Sequence, residues 1–155
     1  MSTLLGIYLQ DHHAAAVAGA RLARRAASEV DEGTPELTTI ADEIADDLRT
    51  LERLMKHLDV GRNRLKDAAA LAGETIIRLK PNGRLSERSP LSEVLELETL
   101  VVGITGKEAL WRSLCTVPAV STAEIDRLIA RAQDQRRRVE TLREAAARRC
   151  FAGTS

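Results

Sequence analysis

The sequence predicts an all-α fold, a bundle of four long helices, from three features of its pattern. Apolar residues recur in steps of three and four through 37–58 and 125–146, the repeat of a helix that buries one stripe. The segments 4–23 and 90–117 are instead apolar on nearly every side, as helices at the centre of a bundle are. Finally, Pro35, Pro81, Pro90 and Pro118 all fall at expected helix ends or between helices, where a missing N–H is tolerated.

The first long helix is expected over 3–29, capped by Ser2 or Thr3. Its apolar run LLGIYLQDHHAAAVAGARLA is interrupted near the middle by Gln10, Asp11, His12 and His13. Helical spacing puts Leu5, Leu9, His12 and Ala16 on one stripe, and Leu4, Tyr8, Asp11, Ala15 and Leu22 on the adjoining one. Asp11 and His12 are therefore expected on core-type faces, with His13 partly covered. A carboxylate and imidazoles inside such a helix need partners, which makes this knot the leading candidate site.

Gly33, Thr34 and Pro35 form a stop, a cap and a restart for the second helix, expected to run to Leu58. Its seam is Leu37, Ala41, Ile44, Leu48, Leu51, Met55 and Leu58, and Asp47 sits at the seam's edge. A flanking acid is usually a solvated rim residue; the competing reading is a buried, partnered one. A crossover follows, with a short helix expected over 63–79 and a locally basic run at 78–88 carrying Arg78, Lys80, Arg84 and Arg88.

The third long helix opens with Ser89 as cap and Pro90 as first residue and is expected to reach Val117. Gly103 and Gly106 weaken a helix interior by about 1 kcal/mol each, so close backbone approach or a ligand is expected beside them. Glu98 shares a face with Val94, Leu95, Val101 and Val102 and is a second acid with a possible buried role, while Trp111 is expected in the core or at a subunit contact. The last helix starts at a capping box, Ser121 to Glu124, and follows the seam Ile125, Leu128, Ala132, Gln135, Val139, Leu142, Ala146. Gln135 is its one polar member, and Arg136, Arg137 and Arg138 read as a solvated face.

Composition narrows the function classes. A chain of 155 residues with 44% apolar content suits one domain, 1–155, with its own core. Lys plus Arg equals Asp plus Glu at 23 each, so no net field draws the chain to nucleic acid or to an anionic membrane, and 2% aromatics leave few rings for base stacking. With no basic leader before its apolar run and no span of roughly 18 to 20 apolar residues, the chain is expected to be soluble and cytoplasmic. Cys115 and Cys150 form no C-x-x-C pattern and are expected as free thiols.

A crossover of some 30 residues can return the roughly 35 Å length of the second helix, so the third can run parallel to the second. That topology is ferritin-like. It would bring Asp11 and His12, Asp47, Gly103 and Gln135 to one height, with Glu52 and Glu98 about a turn away. The di-iron pattern of such bundles needs Glu-x-x-His on two helices. Here the positions three before His12, His13 and His57 hold Leu9, Gln10 and Leu54, so that pattern is missing. A reduced site of His12, Asp11, Asp47 and Glu98 for a single divalent ion is the metal reading; a buried Asp–His pair that sets helix register, in a layer with Gln135, is the structural one.

The stretches LGIYLQDH, NGRLSERSPLSEVLELE and GITGKEALW resemble an uncharacterised bacterial, actinobacterial family of small ferritin-like helical proteins. The resemblance covers most of the chain and implies a fold without implying an activity. There is no glycine-rich phosphate loop and no G-x-S-x-G nucleophile turn, so no catalytic set is expected. Two nearly all-apolar helices carry more apolar surface than four seams bury, which points to a non-catalytic protein that self-associates as a homodimer or binds a partner protein. The alternative is a divalent-metal-binding bundle.

Overall fold

The computed structural model describes residues 4–29, 35–60 and 89–152, and these form helices α1 (Leu4–Glu29), α2 (Pro35–His57), α3 (Pro90–Leu114) and α4 (Thr122–Ala152). The short helix expected over 63–79 and the basic run at 78–88 lie outside the described residues, as do the caps expected at Ser2, Thr3, Gly33 and Thr34. No helix among the described residues is long and apolar enough to cross a membrane. Cys115 and Cys150 are free thiols.

Local chemistry explains the helix ends. Ser89 has extended backbone, accepts from the Ser92 N–H through its Oγ at 3.3 Å, and is followed by Pro90 at the first helical position. Past the end of α2, Asp59 takes the left-handed conformation at φ 53°. The Val60 N–H then returns to the Met55 carbonyl at 2.9 Å and the Asp59 N–H to Lys56 at 3.2 Å, closing a Schellman turn without glycine. Helix α3 stops at Leu114, short of the expected Val117, because residues 115–120 turn tightly through i to i+3 bonds. At the start of α4 the Ser121 carbonyl accepts from Glu124 and Ile125, while the Glu124 side chain reaches Arg53 of α2 at 2.5 Å.

Helix directions follow from the cross-helix contacts. Tyr8 meets Ser113 and Arg25 meets Glu96, so α1 and α3 are antiparallel. His13 meets Glu52, Arg149 meets Glu93, and Arg53 meets Glu124, which makes α1/α2, α3/α4 and α2/α4 antiparallel as well. Helix α1 packs beside α2 and α3, and α4 beside α3 and α2. Helices α2 and α3 therefore occupy opposite corners and run the same way.

The core joins all four helices: Leu9, Leu22 and Ala23 from α1, Ile40, Leu51 and Met55 from α2, Leu97, Ile104 and Trp111 from α3, and Ile125, Ala132 and Val139 from α4. The α4 seam is buried as its spacing requires, with Leu142 half-covered. Helix α1 departs from expectation. Its buried polar residues are Gln10 and His13, whereas Asp11 is exposed and His12 half-buried. Because α1 is small or apolar almost all round, either face would pack, and the pattern does not fix which one does.

Candidate functional site

Asp47 lies at the centre of the polar core. It is 2% exposed, buried by the same α2 face that carries Ile44 and Leu51, so of its two readings, solvated rim or buried and partnered, the structure has the second. A carboxylate there must be matched, and it is matched twice. Lys107 of α3 donates to its Oδ2 at 2.5 Å, and the Arg131 guanidinium of α4 donates to its Oδ1. Gln135, fully buried on α4, donates to the same Oδ2 at 3.2 Å and to Glu43 at 3.1 Å, and accepts from Lys107 at 2.5 Å. Arg138 extends the chain of contacts to Glu43 at 2.5 Å and Glu36 at 3.1 Å. With its side chain 23% exposed, Arg138 is part of this network and not of a solvated face.

The environment sets the protonation chemistry. Burial pushes the Lys107 pKa below its ordinary 10.5, against the pull of the Asp47 carboxylate. Burial likewise lowers His12 below 6.5, against the neighbouring Asp11. The Glu108 carboxyl is held below 4.5 by hydrogen bonds from Gln133 at 3.0 Å and from Arg112.

The residues expected to converge separate into different environments. Asp47 and Gln135 do meet, directly. Asp11 and Glu98 are exposed, and His12 sets its ring edge-on to Tyr8 at 4.5 Å between centroids. His13 is the buried imidazole, and its Nε2 bonds Glu52 across the α1/α2 interface at 3.0 Å, so the acid it finds is Glu52 and not Asp47. Among the described residues no three His, Cys, Asp or Glu side chains gather as a metal site would require. His12, Asp11, Asp47 and Glu98 are thus not brought together.

Lys107, Arg131, Glu43 and Arg138 are functional-looking residues that pattern reading passed over. For Lys107 a signal existed: Ile104, Lys107 and Trp111 follow three-and-four spacing, which puts the ammonium on the buried side of α3. Arg131 and Arg138 carried no such signal, because long side chains reach inward from positions beside the seam.

Beside this cluster lies a cavity of about 560 Å3, within the roughly 300 to 1,000 Å3 typical of small-molecule sites. Its walls are α1 and α3 and its floor is α2, through Ile44, Asp47, Leu48 and Leu51. The two walls are pinned near their ends by Tyr8 to Ser113 at 3.0 Å and Arg25 to Glu96 at 2.9 Å, and the cavity occupies the gap between the pins. Small residues keep that gap open. A Cβ built on Gly19, Gly103 or Gly106 meets nothing within 4 Å, so these glycines border free space and not a closely approaching backbone. Lys107 and Trp111 also line the cavity. No protein-family model, no curated protein and no solved structure matches the chain.

Proposed function

We propose that the chain is a ferritin-like helical bundle without di-iron ligands that acts by binding and pairs with a second copy of itself through the outer faces of α1 and α3. The ferritin-like reading rests on the parallel course of α2 and α3 at opposite corners, which sets the end of α2 and the start of α3 at opposite ends of the bundle. The binding reading rests on the polar core, whose acids and bases are engaged with one another across α2, α3 and α4.

One observation carries the pairing. Of the large apolar side chains exposed among the described residues, Leu4, Ile7, Leu91, Leu95 and Val102 are on α1 and α3, and only Phe151 is elsewhere. Leu4 and Ile7 stand at one end of this face, Leu91 and Leu95 at the other, because α1 and α3 are antiparallel. A twofold axis across the middle sets each copy's Leu4 and Ile7 on the other's Leu91 and Leu95, the self-complementarity an isologous contact requires. Size-exclusion chromatography with light scattering at tens of micromolar is expected to give twice the 17.0 kDa chain mass. Leu95→Glu, a substitution at an exposed position, is expected to return a folded monomer. A wild-type monomer at that concentration overturns the pairing.

A further inference from the structure

Helices α2 and α4 are laced together by a ladder of opposite charges, and one rung of it lacks its acid. Arg53 meets Glu124, Asp47 meets Arg131 and Glu43 meets Arg138, in the order that an antiparallel course requires. Midway between the first two rungs, α2 carries Thr50 and α4 carries Arg127. With Glu124, Leu128 and Arg131 these two residues line a cavity of about 340 Å3.

The donors around this cavity are unspent. Thr39, Thr99, Thr105 and Thr141 each return their hydroxyl to the carbonyl four residues earlier, the usual recourse of a helical threonine. The half-buried Thr50 makes no such bond, and exposed Arg127 has neither ion pair nor hydrogen bond among the described residues. Arg131 is held in place already. Its Nε is buried and one terminal nitrogen donates to Asp47, yet its side chain is 34% exposed, so the guanidinium is fixed on its inner side and open on its outer one.

The charges favour an anion. Among the ionised groups of the lining, Arg127 and Arg131 outnumber Glu124. Glu124 is itself drawn to Arg53 at 2.5 Å, and the Asp47 that anchors Arg131 is shared with Lys107, so even the neighbouring pairs leave four cations against two carboxylates. Two guanidiniums one helical turn apart, with a hydroxyl across the interface, form a donor set suited to a tetrahedral oxyanion.

We infer that this cavity binds a phosphate dianion, its oxygens on Arg127, Arg131 and Thr50, in the place of the acid missing from the α2/α4 ladder. The inference goes beyond the pairing proposed above and does not depend on it, since the α2/α4 face lies across the bundle from α1 and α3. The buried Arg131 Nε–H is shielded from exchange with water, which suits it as a reporter in 1H–15N NMR. Titrating inorganic phosphate into the full chain at about pH 8 and constant ionic strength is expected to move that signal and the Thr50 amide saturably, at one ion per chain, while chloride leaves both in place. Phenyl phosphate separates the two sources of the dianion: tighter binding than inorganic phosphate assigns the site to a monoester resting on Leu128, and equal or weaker binding assigns it to the free ion. Arg127→Gln, at an exposed position, is expected to weaken phosphate at least tenfold, and Thr50→Val at least threefold. Glu124→Gln removes the acid of the lining and releases Arg53, and is expected to tighten phosphate at least threefold, a gain that a damaged fold does not produce. No saturable shift up to tens of millimolar phosphate, equal shifts with chloride, or an Arg127→Gln or Glu124→Gln protein that titrates like wild type would each overturn the assignment.

Discussion

Replacing Asp47 by alanine tests the polar core most directly. The substitution deletes the carboxylate that neutralises both Lys107 and Arg131, so the cost is dominated by the cations left behind and not by the lost carboxylate. Breaking a buried pair from one side costs about 3 to 5 kcal/mol. The Lys107 side chain is 14% exposed and keeps only the Gln135 oxygen, whereas that of Arg131 is 34% exposed and can turn toward water. That asymmetry places the expected loss near the lower bound, about 3 kcal/mol. With a urea slope of about 2 kcal/mol/M, the unfolding midpoint falls by about 1.5 M. Adding Lys107→Met to Asp47→Leu removes the stranded ammonium, and the double variant is expected within about 1 kcal/mol of wild type, because apolar replacement of both partners is close to neutral. Equilibrium urea unfolding followed by circular dichroism measures Asp47→Ala and, as the corners of the cycle, Asp47→Leu, Lys107→Met and their double. A loss under about 1 kcal/mol in Asp47→Ala, or a double variant as unstable as the sum of the singles, refutes the placement of a matched charge inside the bundle.

Gly103→Ala and Gly106→Ala are each expected to raise stability by about 0.5 to 1 kcal/mol, since the new methyl meets no neighbour within 4 Å and the helix gains propensity. Thermal melting checks this, and a lower midpoint in either variant would mean that the cavity wall is closed there. For His12 the folded pKa lies below the ordinary 6.5, so the unfolded chain takes up the proton first as pH falls. The stability associated with neutral His12 is therefore complete above pH 6.5 and is lost as pH drops through the folded value. An NMR titration should place the His12 midpoint below 6.5; a midpoint at or above it contradicts the half-buried ring.

How much was legible depends on the helix. In α2 the polar and apolar faces differ sharply, and in α4 one three-and-four seam runs unbroken through an otherwise charged helix, so the seams Leu37 to Met55 and Ile125 to Ala146 could be read from spacing alone, and Gln135 stood out as the polar member. In α3 the contrast is weak, and α1 is small or apolar on nearly every side, so the sequence could not choose among faces: Asp11 and His12 were expected inward where Gln10 and His13 are buried, and Val102 is exposed. Asp47 was recognised as an exception and its meeting with Gln135 followed from helix height, yet its charged partners Lys107 and Arg131 were not foreseen, because their pairing depends on how far lysine and arginine stems reach. At Gly103 and Gly106 the sequence left close backbone approach and a ligand as alternatives, since a glycine in a helix is compatible with close packing or with none, and the structure has open space there.

The same division of labour explains why the cavity lies where it does. Helices α2, α3 and α4 are tied at mid-height by directional contacts converging on Asp47 and Gln135, which fix their mutual register far more narrowly than apolar contact alone. Helix α1 takes no part in that network. It meets α2 through core packing and the His13 to Glu52 bond, and it bonds α3 from Tyr8 to Ser113 and from Arg25 to Glu96, near opposite ends. Between those pins the α1 wall is mostly alanine with Gly19, and α3 contributes Gly103 and Gly106, positions too short to close the distance that the pins and the network set. The gap follows from geometry already fixed elsewhere in the bundle, and filling it at Gly103 therefore leaves every contact that defines the fold in place.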